Sequence, residues 1–195
     1  MPTEISGSTG VNKIQDGTIV NADINSSAAI AGSKLVMPSG SVIQTKHMYS
    51  NDSSGQSVTS ESFIDITNLD LDITPASTSN KVLIQANLHN YIVNHSTNGW
   101  NACDFRIVRT VGGVDATVYD SFNDDGSGHG YAAGAYVENN ETRFMWVTPI
   151  HFLDSPNTTS AITYKIRVKV KSSQFTVTFN DTYCRSSMVL QEIAG

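Results

Sequence analysis

The sequence predicts an all-β chain, an antiparallel β-sandwich preceded by an extended, turn-rich N-terminal segment. Three observations carry that expectation. Past residue 40 the apolar residues recur at every second position in short runs, as in Leu69, Leu71 and Ile73 or Phe175, Val177 and Phe179, which is the period of a strand with one wet face. The runs are separated by clusters of Gly, Asn, Asp and Ser that make turns. No stretch places apolar residues at the 3.6-residue period of an amphipathic helix.

The N-terminal segment follows neither period. From Ile14 to Leu35 the chain reads IQDGTIVNADINSSAAIAGSKL: Ile14, Ile19 and Ile24 are five residues apart, and Ile30 and Leu35 resume that interval after one extra residue. One helix or one strand cannot bury positions so spaced. The intervening Gly, Asn, Asp, Ser and Ala make turns and local side-chain-to-backbone hydrogen bonds, and so short a tract brings too little apolar surface to fold alone. Two readings follow: a disordered leader, or an anchor and oligomer interface in which these five residues are buried by sister chains or by a larger assembly. Met37-Pro38-Ser39-Gly40 marks the boundary, because proline restricts the residue before it and glycine frees its own position. Residues 1–37 are thus one segment and 38–195 one β domain.

Within that domain Ser41 to Tyr49 reads as a first strand and Asn51 to Gln56 as a polar loop. Phe63, Ile64 and Ile66 follow, and then Leu69, Leu71 and Ile73 alternate with Asp70, Asp72 and Thr74 until Pro75 ends the run. Lys81 to Val93 predicts a long strand through Val82, Ile84, Ala86 and Leu88. Ala102 to Val111 places Phe105 and Ile107 on one face, with Cys103 open and with Arg106 and Arg109 near the edge or on the other face. Gly112-Gly113 is a hairpin signal leading into Val114 to Phe122. Tyr131 to Val137, Thr142 to Leu153 and Thr159 to Val170 continue the series, Lys171-Ser172-Ser173 turns into Phe175 to Phe179, and Ser187 to Ile193 closes it. Nine or ten short strands with no helix between them indicate a two-sheet sandwich, with a jelly roll the leading topology.

Composition narrows function. A chain of 195 residues with 39% hydrophobic content holds one ordinary domain and a short tail, without a long fibre shaft. The net charge of −6 argues against a nucleic-acid surface, which needs clustered Lys and Arg. The one basic cluster, Lys165, Arg167, Lys169 and Lys171, alternates at period 2 and reads as the wet face of a strand. No run approaches the roughly 18 apolar residues of a membrane helix, and MPTEISGSTG lacks the regions of a signal peptide, so synthesis in a cytosol without membrane insertion is expected. Cys103 and Cys184 have neither zinc nor redox spacing, and both read as small core residues.

Chemistry-bearing constellations are sparse. The most site-like stretch is the loop Asn123, Asp124, Asp125, Gly126, Ser127, Gly128, His129 and Gly130. Its oxygens could face calcium, but it lacks the alternate acidic positions and terminal glutamate of an EF-hand, so no metal is expected and a receptor-contact loop is the functional reading. Trp100, Tyr131 and Tyr136 are candidate stacking platforms for a surface glycan, or core. His47, His89, His95 and His151 lie on strands or strand ends with no partners nearby in sequence. There is no nucleophile elbow, no P-loop and no reason to pair any two carboxylates. No catalytic residue and no cofactor is therefore expected.

A resemblance bears on both halves. The pattern DGTI-x-NADI-x-x-x-AAIAGSKL, from Asp16 to Leu35, resembles tracts that open or punctuate bacteriophage tail-fibre and virion-appendage proteins, notably of marine and cyanobacterial phages. FIDITNLDLDITPASTSNKVLIQANL, FRIVRT, FLDSPNTTSAITYKI and MVLQEIAG resemble the β head at the ends of such fibres, which is similar to the complement and tumour necrosis factor-like jelly rolls. The resemblance implies a virion protein made in the host cytoplasm, a homotrimer joined to other virion proteins through residues 1–37, and loops displayed for host attachment. A capsid-decorating head fibre or cement protein without receptor binding, and a glycan-binding module, are the alternatives. No catalytic residue carries over.

Overall fold

A computed structural model describes residues 27, 37–50, 54–94, 99–121, 133–137, 143–181 and 185–195. The chain divides into two units, Met1–Val36 and Met37–Gly195, and the described residues other than Ser27 belong to the second. That unit is all-β: β1 (Val42–Tyr49), β2 (Ser54–Val58), β3 (Ile64–Ile73), β4 (Lys81–Asn94), β5 (Gly99–Val111), β6 (Val114–Asp120), β7 (Ala133–Val137), β8 (Arg143–Asp154), β9 (Ile162–Val170), β10 (Phe175–Asp181) and β11 (Ser187–Ile193). All pairings are antiparallel, and the strands form a two-sheet sandwich of jelly-roll type.

Each sheet is built on one long strand. In the six-stranded sheet, ordered β1-β11-β4-β10-β2, β4 shares one edge between β11 and β10 and gives its other edge to β8. In the five-stranded sheet, ordered β3-β9-β5-β6, β5 pairs β9 on one side and β6 and β7 on the other. Strand β9, and β4 from Lys81 to Tyr91, alternate strictly between buried and less buried residues, as the pattern of Val82, Ile84, Ala86 and Leu88 requires when one face meets a second sheet. The core lies between the inner faces. Phe105 of β5 and Phe179 of β10 meet edge-to-face there, 5.9 Å between centroids at 85°, and Ile84, Ile107 and Ile166 are fully buried. Each such side chain contributes about 1.5 to 3 kcal/mol through removal from water.

Polar clasps join the layers where the core ends. Asp154, buried at the end of β8, accepts two hydrogen bonds from Arg109 of β5 (3.0 and 2.7 Å) and one from the Tyr164 hydroxyl of β9 (2.6 Å). Burial first, and then the bond to Asp154, push the Tyr164 hydroxyl far above its ordinary titration range. Arg109 thus points into the layer between the sheets at the ordinary period of two, on the face of Phe105 and Ile107 rather than opposite them, while Arg106 lies outward.

Several boundaries differ from the sequence expectation, and three have a physical cause in the fold. Ser54 to Gln56 is strand rather than loop, so the described residues form eleven strands rather than nine or ten. Its sequence SGQSV holds one large apolar residue, and its extended state comes from pairing with β10 and from Gln56, which donates to Asp65 O (2.9 Å) and accepts from Thr67 N–H (2.7 Å). Strand β9 begins at Ile162 rather than Thr159, because the Thr158 hydroxyl caps Ser160 N–H at 3.1 Å in a local turn. Strand β5 begins at Gly99 rather than Ala102, held by β7.

Candidate interaction surface

The two sheets turn different chemistry outward. On the five-stranded sheet the outward side chains of β9 are Lys165, Arg167 and Lys169, the basic run read as a wet face, and acidic residues of the flanking strands meet them. Arg167 bonds Asp65 of β3 and, at 2.6 Å, Asp115 of β6. Lys165 lies 3.6 Å from Asp65 and 3.4 Å from Asp115, and Arg106 bonds Asp120 at 2.6 Å. The Thr110 hydroxyl, with Arg167 and Lys165, holds the Asp115 carboxyl below its usual range, and Asp65 raises the Arg167 guanidinium. Phe63 packs against this lattice with the Arg106 guanidinium 3.9 Å and the Lys169 ammonium 5.1 Å from its ring centroid, a cation–π arrangement. Ion pairs thus tie the cations of this face to acidic residues of the flanking strands, and Asp70 and Asp72 of β3 add further carboxylates to it, which suits it to water.

The outer face of the six-stranded sheet is built from β1, β11, β4 and β8. Their registers align Thr45, Gln191, Leu83 and Leu153 in one row, His47, Val189, Gln85 and His151 in the next, and Tyr49, Ser187, Asn87 and Pro149 in a third. Beyond these, His89 stands opposite Val147 and Tyr91 opposite Met145. At the outward register positions of these strands the formal charges are Lys81 at one end and Arg143, in register with Val93, at the other, and the rows between carry none among the described residues. Large apolar side chains are exposed here to an unusual degree: Met145 at 61%, Tyr49 at 52%, and Val42 and Leu153 each at 47%. Of the eight exposed large hydrophobic residues described, six lie on β1 and β8, two of the outer strands of this sheet.

Three histidines share this face. The Gln85 amide is 3.3 Å from His151 Nδ1, and His47 lies 6.5 Å, ring to ring, from Tyr49. Sequence reading saw these imidazoles as unconnected, since they sit on three strands far apart in the chain; only the register of β1, β4 and β8 puts them on one surface. No metal-holding group of three or more His, Cys, Asp or Glu occurs among the described residues.

Of the residues singled out in the sequence, Ile14, Ile19, Ile24, Ile30 and Leu35, and the loop residues Asn123, Asp124, Asp125, Gly126, Gly128 and His129, lie outside the described residues. So do Tyr131 and Cys184. The backbone register pairs Trp100 with Tyr136 across β5 and β7. Cys103 is a free, fully buried thiol, which burial and then the neighbouring Asp104 push far above the ordinary cysteine range, so it is chemically inert in the fold.

No protein-family model matches the chain, and no curated protein does. Among solved structures, the infectious bursal disease virus Gt strain matches at 14% identity and a TM-score of 0.38, over 86% of this chain and 42% of that one. The VP2 subviral particle of the same virus matches at 12% identity and a TM-score of 0.38, over 78% and 38%. Its T=1 particles match at 13% identity and a TM-score of 0.37, over 86% and 41%. The chain spans about two fifths of the length of those virus-particle proteins, and likeness at this level concerns the fold.

Proposed function

We propose that the chain is a non-enzymatic structural protein of a virus particle: a short bacteriophage fibre that assembles as a homotrimer, is held on the virion by residues 1–37 through other virion proteins, and presents its β domain outward for host attachment. The observation that carries this reading is the asymmetry of the sandwich. One outer face is covered by matched ion pairs, and the other leaves Met145, Val147, Leu153 and Tyr49 in water. Contiguous apolar exposure on a folded domain marks a surface that another protein covers. The five-residue isoleucine period, which supplies no core of its own, supports an anchoring role for the leader.

The test is made on particles and on the isolated chain. Antibodies against residues 38–195 should label virions at regular positions, and light scattering should return three times the chain mass. A monomer at micromolar concentration, or unlabelled particles, would overturn the reading. Attachment is tested separately by replacing Asp124, Asp125 and His129 together with Ala. Adsorption to host cells should fall while stability stays within about 0.5 kcal/mol, the usual range for surface changes. Unchanged adsorption with unchanged folding would favour decoration of the capsid.

A further inference from the structure

We propose that the outer face of β1, β11, β4 and β8 is where copies of this chain meet, and that His47, His89 and His151 make the contact loosen on acidification. The inference rests on the self-assembly reading above and names both the surface and its control.

The occupant follows from charge. Each chain carries a formal −6, so two copies repel least where the touching surfaces bear no acidic charge, and on this face the described rows between Lys81 at one end and Arg143 at the other bear no charge. A strongly charged partner would find almost nothing to pair with here, whereas a second neutral apolar face is complementary without any salt bridge. The ion-paired face of the other sheet would lose its water for no new partner.

The control follows from what surrounds the imidazoles. His151 has the Gln85 amide beside it, His47 stands in register with Val189, and His89 stands in register with Val147. From β1, β11, β4 and β8 the titratable or charged residues at described outward positions, besides the histidines, are Tyr49, Tyr91, Lys81 and Arg143, so no carboxylate stands among them to balance an imidazolium. Between pH 8 and 5 histidine is the ordinary side chain that changes charge. On a face open to water the charge of an imidazolium is solvated. Between apposed neutral faces that charge would be buried unpaired, which is strongly unfavourable. The assembled state therefore binds fewer protons than the separated chains, so association is strongest above the histidine range and weakens as pH falls through it. The association constant should drop by about tenfold per pH unit for each imidazole that must stay neutral.

The experiment is sedimentation of the full-length chain at pH 8.0 and 5.5, with two variants. The double variant V147K/L153K alters outward, half-exposed positions and should keep the far-ultraviolet circular dichroism of the parent. The triple variant H47Q/H89Q/H151Q removes the titration. The parent should be assembled at pH 8.0 and at least tenfold weaker at 5.5, the triple variant assembled at both, and the double variant dissociated at both. If the parent is assembled and the double variant assembles equally well, the face is wrong although self-assembly stands. If the parent and the triple variant weaken alike on acidification, the histidine control is overturned. A parent that is monomeric at pH 8.0 overturns this inference and the self-assembly reading together.

Discussion

Glu192 is a carboxylate without solvent exposure, on the inner side of β11. Burial alone would raise its titration. Hydrogen bonds donated by Asn80, by Gln44 Nε2 at 2.6 Å and by Ala76 N–H at 2.6 Å outweigh that effect and hold the carboxyl below the ordinary 4.5. The folded state therefore binds fewer protons at this position than the unfolded chain, and its contribution is complete above pH 4.5 and lost as pH falls through the lower folded value. Glu192→Gln should cost about 1.5 to 3 kcal/mol at pH 7, the range for charged hydrogen bonds, and should flatten the loss of stability on acidification. Urea titrations at pH 7 and pH 3.5 measure both. A variant whose acid limb matches the parent would show that other carboxylates govern it. The Asp154 clasp has the same logic in a second place: residues remote in sequence converge on one buried carboxylate, so neither clasp was visible as a motif.

At the scale of elements, the β5–β6 hairpin was legible because Gly112-Gly113 lies between two apolar runs. Both glycines take the left-handed conformation, φ +56° and +82°, and a Cβ on either would meet nothing within 4 Å. Gly113→Ala should therefore cost only its backbone strain, about 1 to 2 kcal/mol, seen as a lower urea midpoint with an unchanged slope. The N-terminal tract gives the opposite sort of prediction. Ile19→Asp with Ile24→Asp should leave the β domain folded and abolish joining to the particle, because a charge placed in an apolar contact without a partner is strongly unfavourable. Virions decorated at normal occupancy by this variant would remove the anchor from the account. Strand β2 marks the limit of pattern reading: its extended state is imposed by β10 and by the Gln56 clamp on β3, and nothing in SGQSV announces it.

At the scale of the molecule, the sandwich has one face at ease in water and one that is not. Arg167→Ala breaks two exposed ion pairs and should change stability by no more than about 1 kcal/mol, with no effect on the sedimenting mass. That null effect on assembly, set beside dissociation by charges at Val147 and Leu153, would distinguish the two faces directly. A changed mass for Arg167→Ala would place the lattice in the interface instead.

The sequence by itself determined the all-β class, the position of most strands and the inward sets on β4 and β10, because a period of two is local and survives without knowledge of partners. It also determined that the basic run of β9 lies on one face. Tertiary structure alone decided the rest. Arg109 shares the inward face of Phe105 and Ile107, and only the fold brings Asp154 and Tyr164 to meet its charge there. Glu192 is buried because Asn80, Gln44 and Ala76 converge on it. The neutral histidine-bearing surface exists because β1, β11, β4 and β8, drawn from both ends and the middle of the chain, align in one register. Spacing along a sequence reports which residues share a strand face, and it carries no information about which strands become neighbours.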